Sequence, residues 1–114
     1  MKLYTREAFL KLPPGTIYAK GQEWAFDGLT IKEDSLGEPP IDWYCLDPAW
    51  IEPPDGGNAF DALEDMKING TSYPIQDSVG RDGMFDEMDI FLVLEVDDLR
   101  KLRDMVNRAI EVSE

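Results

Sequence analysis

The chain has 114 residues, 43% of them hydrophobic and 31% charged, which predicts one globular domain over residues 1–114 and excludes a disordered chain. A net charge of −13, from 24 acidic and 11 basic residues, repels nucleic-acid backbones and anionic membranes, so we expect no direct binding to either. A single cysteine excludes an internal disulfide, and without a signal-like or membrane-spanning apolar run we expect a cytoplasmic protein.

The first part of the chain predicts a short helix followed by an antiparallel meander. Thr5 is a suitable N-cap for a helix over 6–12, which Pro13 and the residues after it end. Runs of β-branched and aromatic residues predict four strands, over 16–19, 23–26, 29–32 and 42–46. Alternation within the second run places Trp24 and Phe26 on one face of the sheet.

The middle of the chain predicts a second helix over 59–68, with Asn58 as its N-cap. Three apolar residues of that helix are expected to face inward: Phe60, Leu63 and Met66. Residues 72–75 predict an edge strand, because Pro74 would interrupt a central ladder, and 76–87 predict a polar loop.

The end of the chain predicts a strand over 89–95 and a helix over 96–112. The strand is apolar on both faces, which favours a central position, and Asp97 is a suitable cap for the helix. An apolar stripe should pack the helix on the sheet: Leu99, Leu102, Met105, Val106, Ala109 and Ile110. The fold class is therefore α+β, one small domain with a mainly antiparallel sheet of four to six strands, a long C-terminal helix packed on it and one or two short helices.

Groups that support familiar enzyme chemistry are missing from the sequence. There is no histidine and no glycine-rich phosphate loop, and Cys45 in a predicted strand is typical of a small core residue. A calcium loop over 78–89 would need acids where Ser78 and Gly80 stand. We expect a protein that is not an enzyme and has neither a cofactor nor a metal site.

Six residues are candidates for ligand binding. They are the aromatic residues Tyr18, Trp24, Trp43, Tyr44 and Trp50, together with Arg81. Most of the rings are expected in the core, but Tyr and Trp are also enriched at binding surfaces, so one or two are expected to line a pocket or interface. Arg81 either pairs locally with Asp82 or Asp86, or holds a phosphate or carboxylate of a ligand.

The negative charge is concentrated in residues 33–98, which hold 18 acids and only two bases, Lys67 and Arg81. Two interpretations stay open. The acids either solvate loops, or form a surface that docks a basic partner or imitates DNA.

Two segments resemble small uncharacterised acidic proteins encoded by bacteriophages and prophages. They are residues 4–18, YTREAFLKLPPGTIY, and residues 80–95, GRDGMFDEMDIFLVLE, which together cover about a third of the chain. The resemblance implies a context, since such accessory proteins often antagonise bacterial defence without catalysis. It implies no residue roles.

We therefore expect a non-enzymatic binding protein of phage type that antagonises a bacterial defence system. Either its acidic surface docks on a host defence protein with a basic surface, or its aromatic rings and Arg81 sequester a small nucleotide immune signal, between the subunits of a homo-oligomer. Two other classes stay open: a structural or housekeeping interaction module, such as a phage assembly or immunity-type partner, and an enzyme that uses carboxylates and a divalent ion.

Overall fold

The computed structural model describes residues 1–51, 57–75, 78–84 and 86–114. Within these residues the strands are β1 (Lys2–Thr5), β2 (Ile17–Gln22), β3 (Ala25–Phe26), β4 (Thr30–Leu36), β5 (Asp42–Leu46), β6 (Gly80–Arg81) and β7 (Ile90–Val93). The helices in the same residues are α1 (Arg6–Phe9), α2 (Ala59–Asn69) and α3 (Val96–Ser113).

The strands form one antiparallel sheet in the order β1-β7-β2-β4-β5-β6, and β3 pairs with β2 as a short hairpin arm. This arrangement confirms the α+β fold class and the central position of the strand that precedes the last helix. Among the described residues, no helix combines the length and apolar character needed to cross a bilayer.

Three edge features differ from the sequence prediction. Lys2–Thr5 form β1, which no local pattern indicated, because its partner β7 lies about 90 residues further along the chain. Gly80–Arg81 form β6 inside the segment predicted as a loop. Residues 72–75, predicted as an edge strand, have no strand structure.

The first hairpin turns later than predicted, because β2 continues through Gly21 to Gln22 and the turn moves to Glu23 and Trp24. A Cβ atom on Gly21 would clash with the carbonyl oxygen of Ala25, so only glycine allows the arms to approach this closely. The prediction that Trp24 and Phe26 share a strand face was therefore wrong.

The helix caps follow the sequence at α1 and α2. Thr5 Oγ1 accepts from the Ala8 N–H at 3.3 Å, and Asn58 Oδ1 accepts from the Asp61 N–H at 2.9 Å. The inward face of α2 differs: Ala62 is buried and Met66 half-buried. Two residues predicted to face inward are exposed, Phe60 at 82% and Leu63 at 45%.

The C-terminal helix begins one residue after Glu95, which is its N-cap in place of the predicted Asp97. The Glu95 N–H donates to Asp98 Oδ2 at 2.9 Å, and the same carboxylate accepts from the Met1 ammonium at 2.6 Å. The predicted packing of α3 on the sheet was wrong: among the described residues α3 contacts no strand, none of its own residues is buried, and only Asp98, Leu99 and Leu102 are half-buried.

The core is a cluster of aromatic rings contributed by α1, β2, β5 and β7. Phe9 stacks on Phe91 with ring centroids 4.1 Å apart. The Phe9 and Trp43 rings pack edge to face, with their centroids 5.1 Å apart. Trp43 Nε1 donates to Tyr18 Oη at 2.9 Å, which satisfies the indole N–H at a site buried from solvent. Burial raises the pKa of Tyr18 far above its usual value, so this phenol stays neutral.

Lys32 is fully buried beside this core, an unusual place for an ammonium group. Its Nζ donates to Ser35 Oγ at 2.8 Å and to the Glu33 carbonyl at 3.0 Å, and Ser35 Oγ donates to the Leu10 carbonyl at 2.7 Å. Burial lowers the pKa of Lys32, although Asp34 and Glu33 oppose that shift.

Replacing Tyr18 with phenylalanine should lower the free energy of unfolding by about 1–3 kcal/mol, because the Trp43 indole N–H would stay buried without an acceptor. Urea unfolding followed by tryptophan fluorescence measures the change. The matched control is Tyr44→Phe, which removes the same hydroxyl from a ring that is 37% exposed and should change stability by under about 0.5 kcal/mol. Equal effects of the two substitutions would contradict a structural role for the buried hydrogen bond.

Candidate functional site

The β2–β3 hairpin presents a tryptophan at its tip. Its two-residue turn holds Glu23 at φ 55°, a left-handed conformation that glycine favours and glutamate adopts only at a cost of about 1–2 kcal/mol. The next residue, Trp24, is 84% exposed. An exposed indole on a strained turn is a common property of binding sites, because tryptophan buries a large area when a partner covers it.

A groove of about 290 Å³ follows one side of this hairpin; we call it the hairpin groove. Its lining residues are Lys20, Gly21, Gln22, Ala25, Asp27, Met84, Asp86 and Asp89. Gln22 Nε2 donates to Asp86 Oδ2 at 2.6 Å and to Asp89 Oδ1 at 3.0 Å, and so holds the two carboxylates together. Asp89 is only 6% exposed, and its Oδ2 has no hydrogen-bond partner among the described residues.

A second groove of about 380 Å³, here the sheet groove, shares Lys20 and Asp27 with the first. Its other lining residues are Tyr18, Gly28, Thr30, Cys45, Asp47 and Asp82. Lys20 Nζ lies 3.1 Å from Asp82 Oδ1, so Lys20, which lines both grooves, already has a carboxylate partner. Together we call these the acidic grooves.

Two titrating groups that line the acidic grooves have shifted pKa values. Hydrogen bonds from the Met88 N–H and the Gln22 amide lower the pKa of Asp86, which keeps this carboxylate charged. Burial, followed by the nearby Asp82 charge, raises the pKa of the Cys45 thiol, which keeps it protonated and a poor nucleophile.

Arg81 pairs with Asp42, not with Asp82 or Asp86 as the local alternative predicted. Asp42 is fully buried and also accepts from the Gly83 N–H at 3.1 Å, so the pair joins β6 and the residues after it to β5. Burial alone would raise the pKa of Asp42, but the hydrogen bonds from Arg81, Trp43 and Gly83 outweigh it and lower the value.

The six residues predicted to bind ligand occupy different settings. Tyr18 and Trp43 are 2% and 0% exposed and form the core, whereas Trp24 and Trp50 are 84% and 54% exposed on loops. Tyr44 and Arg81 are opposite each other in the β5–β6 ladder. None of the groove carboxylates was predicted as a site residue, and Asp82 and Asp86 were named only as local partners of Arg81, because the sequence does not show which acids face a common groove.

Comparisons of the chain with protein-family models, with curated proteins and with solved structures found no match. The resemblance to phage-encoded proteins therefore stays a prediction. Within the described parts of the chain, no group of three or more Cys, Asp or Glu side chains has a geometry that could hold a metal ion.

Replacing Arg81 with methionine should destabilise the fold by about 1–2 kcal/mol at pH 7, because it removes a charged hydrogen bond from buried Asp42. The cost is smaller than for a fully buried ion pair, because solvent screens the Arg81 side chain, which is 57% exposed. Because the folded pKa of Asp42 is lowered, the stabilisation is fully present above its unfolded pKa, about 3.9, and is lost as pH falls through the lower folded value. Urea unfolding of both proteins at neutral and acidic pH measures the difference.

The control for this change is Arg100→Met, which removes the same charge from a solvent-exposed ion pair with Asp97. It should change stability by under about 0.5 kcal/mol at either pH. If both substitutions cost the same, or if the cost of Arg81→Met grows in acid, the Asp42–Arg81 pair does not have the role assigned to it.

Proposed function

We propose that the chain is a non-catalytic binding protein of phage type, which antagonises a bacterial defence system by docking its acidic grooves on a basic surface of a host protein. The observation that carries the proposal is the charge of the grooves. Among the described residues, five carboxylates line them, from Asp27, Asp47, Asp82, Asp86 and Asp89. Such a concentration of one sign of charge steers and orients a basic partner.

Trp24 supplies the second part of the proposed contact. The hairpin that carries this ring also forms a wall of the hairpin groove through Gln22 and Ala25. A partner that places lysine or arginine side chains in the grooves would therefore lie close to an exposed indole. Contacts of this kind combine charge-guided approach with an aromatic anchor that supplies much of the affinity.

Capture of a nucleotide has less support from the same geometry. Phosphate groups would meet several carboxylates and one lysine, and that lysine is already paired with Asp82. Arg81, the predicted phosphate ligand, is held by Asp42. Two of the rings predicted to cage a base, Tyr18 and Trp43, pack in the core.

The first experiment asks whether the protein relieves defence. Bacterial strains that each carry one defence system are infected with a phage that the system blocks, with and without expression of the chain. We expect restored plaque formation on at least one strain, and the defence protein of that strain then becomes the partner for binding measurements. Unchanged plating on every strain, together with stabilisation of the purified chain by a free nucleotide in a thermal-shift panel, would contradict docking on a protein.

Against that defence protein, Trp24→Ala should raise Kd by about 30-fold or more, the loss expected for an interface hot spot, without changing the melting temperature. Isothermal titration calorimetry measures the affinity.

Charge reversal in the grooves is tested with Asp27→Lys and with a matched control on α2, Glu64→Lys. Both residues are exposed and both substitutions change the net charge equally, but only Asp27 lines the grooves. Asp27→Lys should weaken binding clearly more than Glu64→Lys, and added salt should weaken binding by the unsubstituted chain. Equal effects of the two substitutions, or an affinity that does not change with salt, would contradict docking through the acidic grooves.

A further inference from the structure

The distal half of α3 projects from the rest of the molecule. After the half-buried Leu102, every residue from 103 to 113 is exposed, a length of about 16 Å at the helical rise. Its apolar side is exposed as well, with Met105 at 56%, Val106 at 51% and Ile110 at 50%. An amphipathic helix of this kind is stable when its apolar side is covered.

The projecting segment has little that would stabilise it alone. Eleven residues are fewer than an isolated helix needs in water. Its last turn contains no basic residue, and Glu111 and Glu114 place negative charge at the negative end of the helix dipole. Packing against another surface would therefore stabilise this segment.

The spacing of the apolar residues suits another helix. Leu99 and Val106 are seven residues apart, and Leu102 and Ala109 repeat the same interval three residues later. This is the a and d spacing of a coiled-coil seam, and Ile110 widens it. The seam runs without a break from the half-buried base of α3 to its exposed end.

The distribution of charge along the chain indicates which partner helix suits the apolar side of α3. Residues 96–114 carry five acids and four bases, a net charge of −1, whereas residues 1–95 carry the remaining −12. A basic partner is drawn to the rest of the molecule more than to α3. Two copies of this strongly acidic chain meet the least repulsion where their α3 helices face each other.

The molecule also exposes more surface than a compact monomer of its size. The accessible surface is 8376 Å², against about 6,300 Å² for a compact monomer of 13.0 kDa. The radius of gyration is 16.2 Å, against about 13 Å for a compact domain of this length. This surplus of about 2,000 Å² is spread over the whole molecule, and the uncovered apolar side of α3 is one part of it.

We infer that the chain forms a homodimer in which the apolar seam of α3, from Leu99 to Ile110, packs against the same seam of a second copy. This interface is separate from the acidic grooves and leaves them accessible on both copies.

Sedimentation velocity of the full chain from about 1 to about 100 μM tests the inference, a range that covers a micromolar dimer. We expect twice the 13.0 kDa chain mass at the higher concentrations. Val106→Glu should shift the species to monomer, because it places a charge in the seam. Asn107→Glu adds the same charge to the adjacent, polar side of α3 and should leave the dimer unchanged.

Salt provides an independent readout, because it screens the repulsion between the two acidic bodies while the seam itself is apolar. The dimer should become tighter as salt is added, whereas docking of a basic partner in the acidic grooves should become weaker.

A wild-type chain that stays monomeric over the whole range, or a dimer that survives Val106→Glu, would overturn the inference. Either result would leave the proposed binding function to its own tests.

Discussion

The rest of the fold depends on the packing of four aromatic rings, from Phe9, Tyr18, Trp43 and Phe91. They come from one short helix and three strands, and the 4.1 Å stack of Phe9 on Phe91 lets a helix of four residues close one face of the sheet. Two of the rings carry polar atoms, and the hydrogen bond from the Trp43 indole to the Tyr18 hydroxyl offsets the cost of burying them. The aromatic core is therefore small, and the indole nitrogen and phenol oxygen within it are hydrogen-bonded to each other.

A core of this size leaves much of the remaining apolar surface uncovered. The exposed side chains of α2 and the distal half of α3 lie outside it, as does Trp24 at the hairpin tip. Exposed apolar surface lowers the stability of a monomer, but it is also what binds partners. In this molecule the exposed apolar seam lies on a nearly neutral helix, whereas the carboxylates line grooves elsewhere. The proposed contact with a basic partner and the proposed contact between two copies therefore use different surfaces, one acidic and one nearly neutral.

Much of the secondary structure was predictable because it depends on residues close together in the sequence. Thr5 and Asn58 cap their helices through side chains that bond three residues ahead, and the apolar run over 90–93 indicated the central strand. The predictions that differed depended on distant partners: β1 is a strand because β7 lies beside it. Arg81 pairs across 39 positions with Asp42, although three aspartates stand within five residues of it in the sequence.

The sequence by itself determined the fold class, the positions of the helices and the strong acidity, since propensity, capping and charge are local or additive properties. It could not separate Trp43 in the core from Trp24 on the surface, because both stand in short apolar runs with similar alternation. That difference depends on the close approach of the strands at Gly21, which moved the turn to Trp24. Only the tertiary structure decided which acids line a common groove and which side of α3 remains uncovered, because both depend on contacts between segments far apart in the chain.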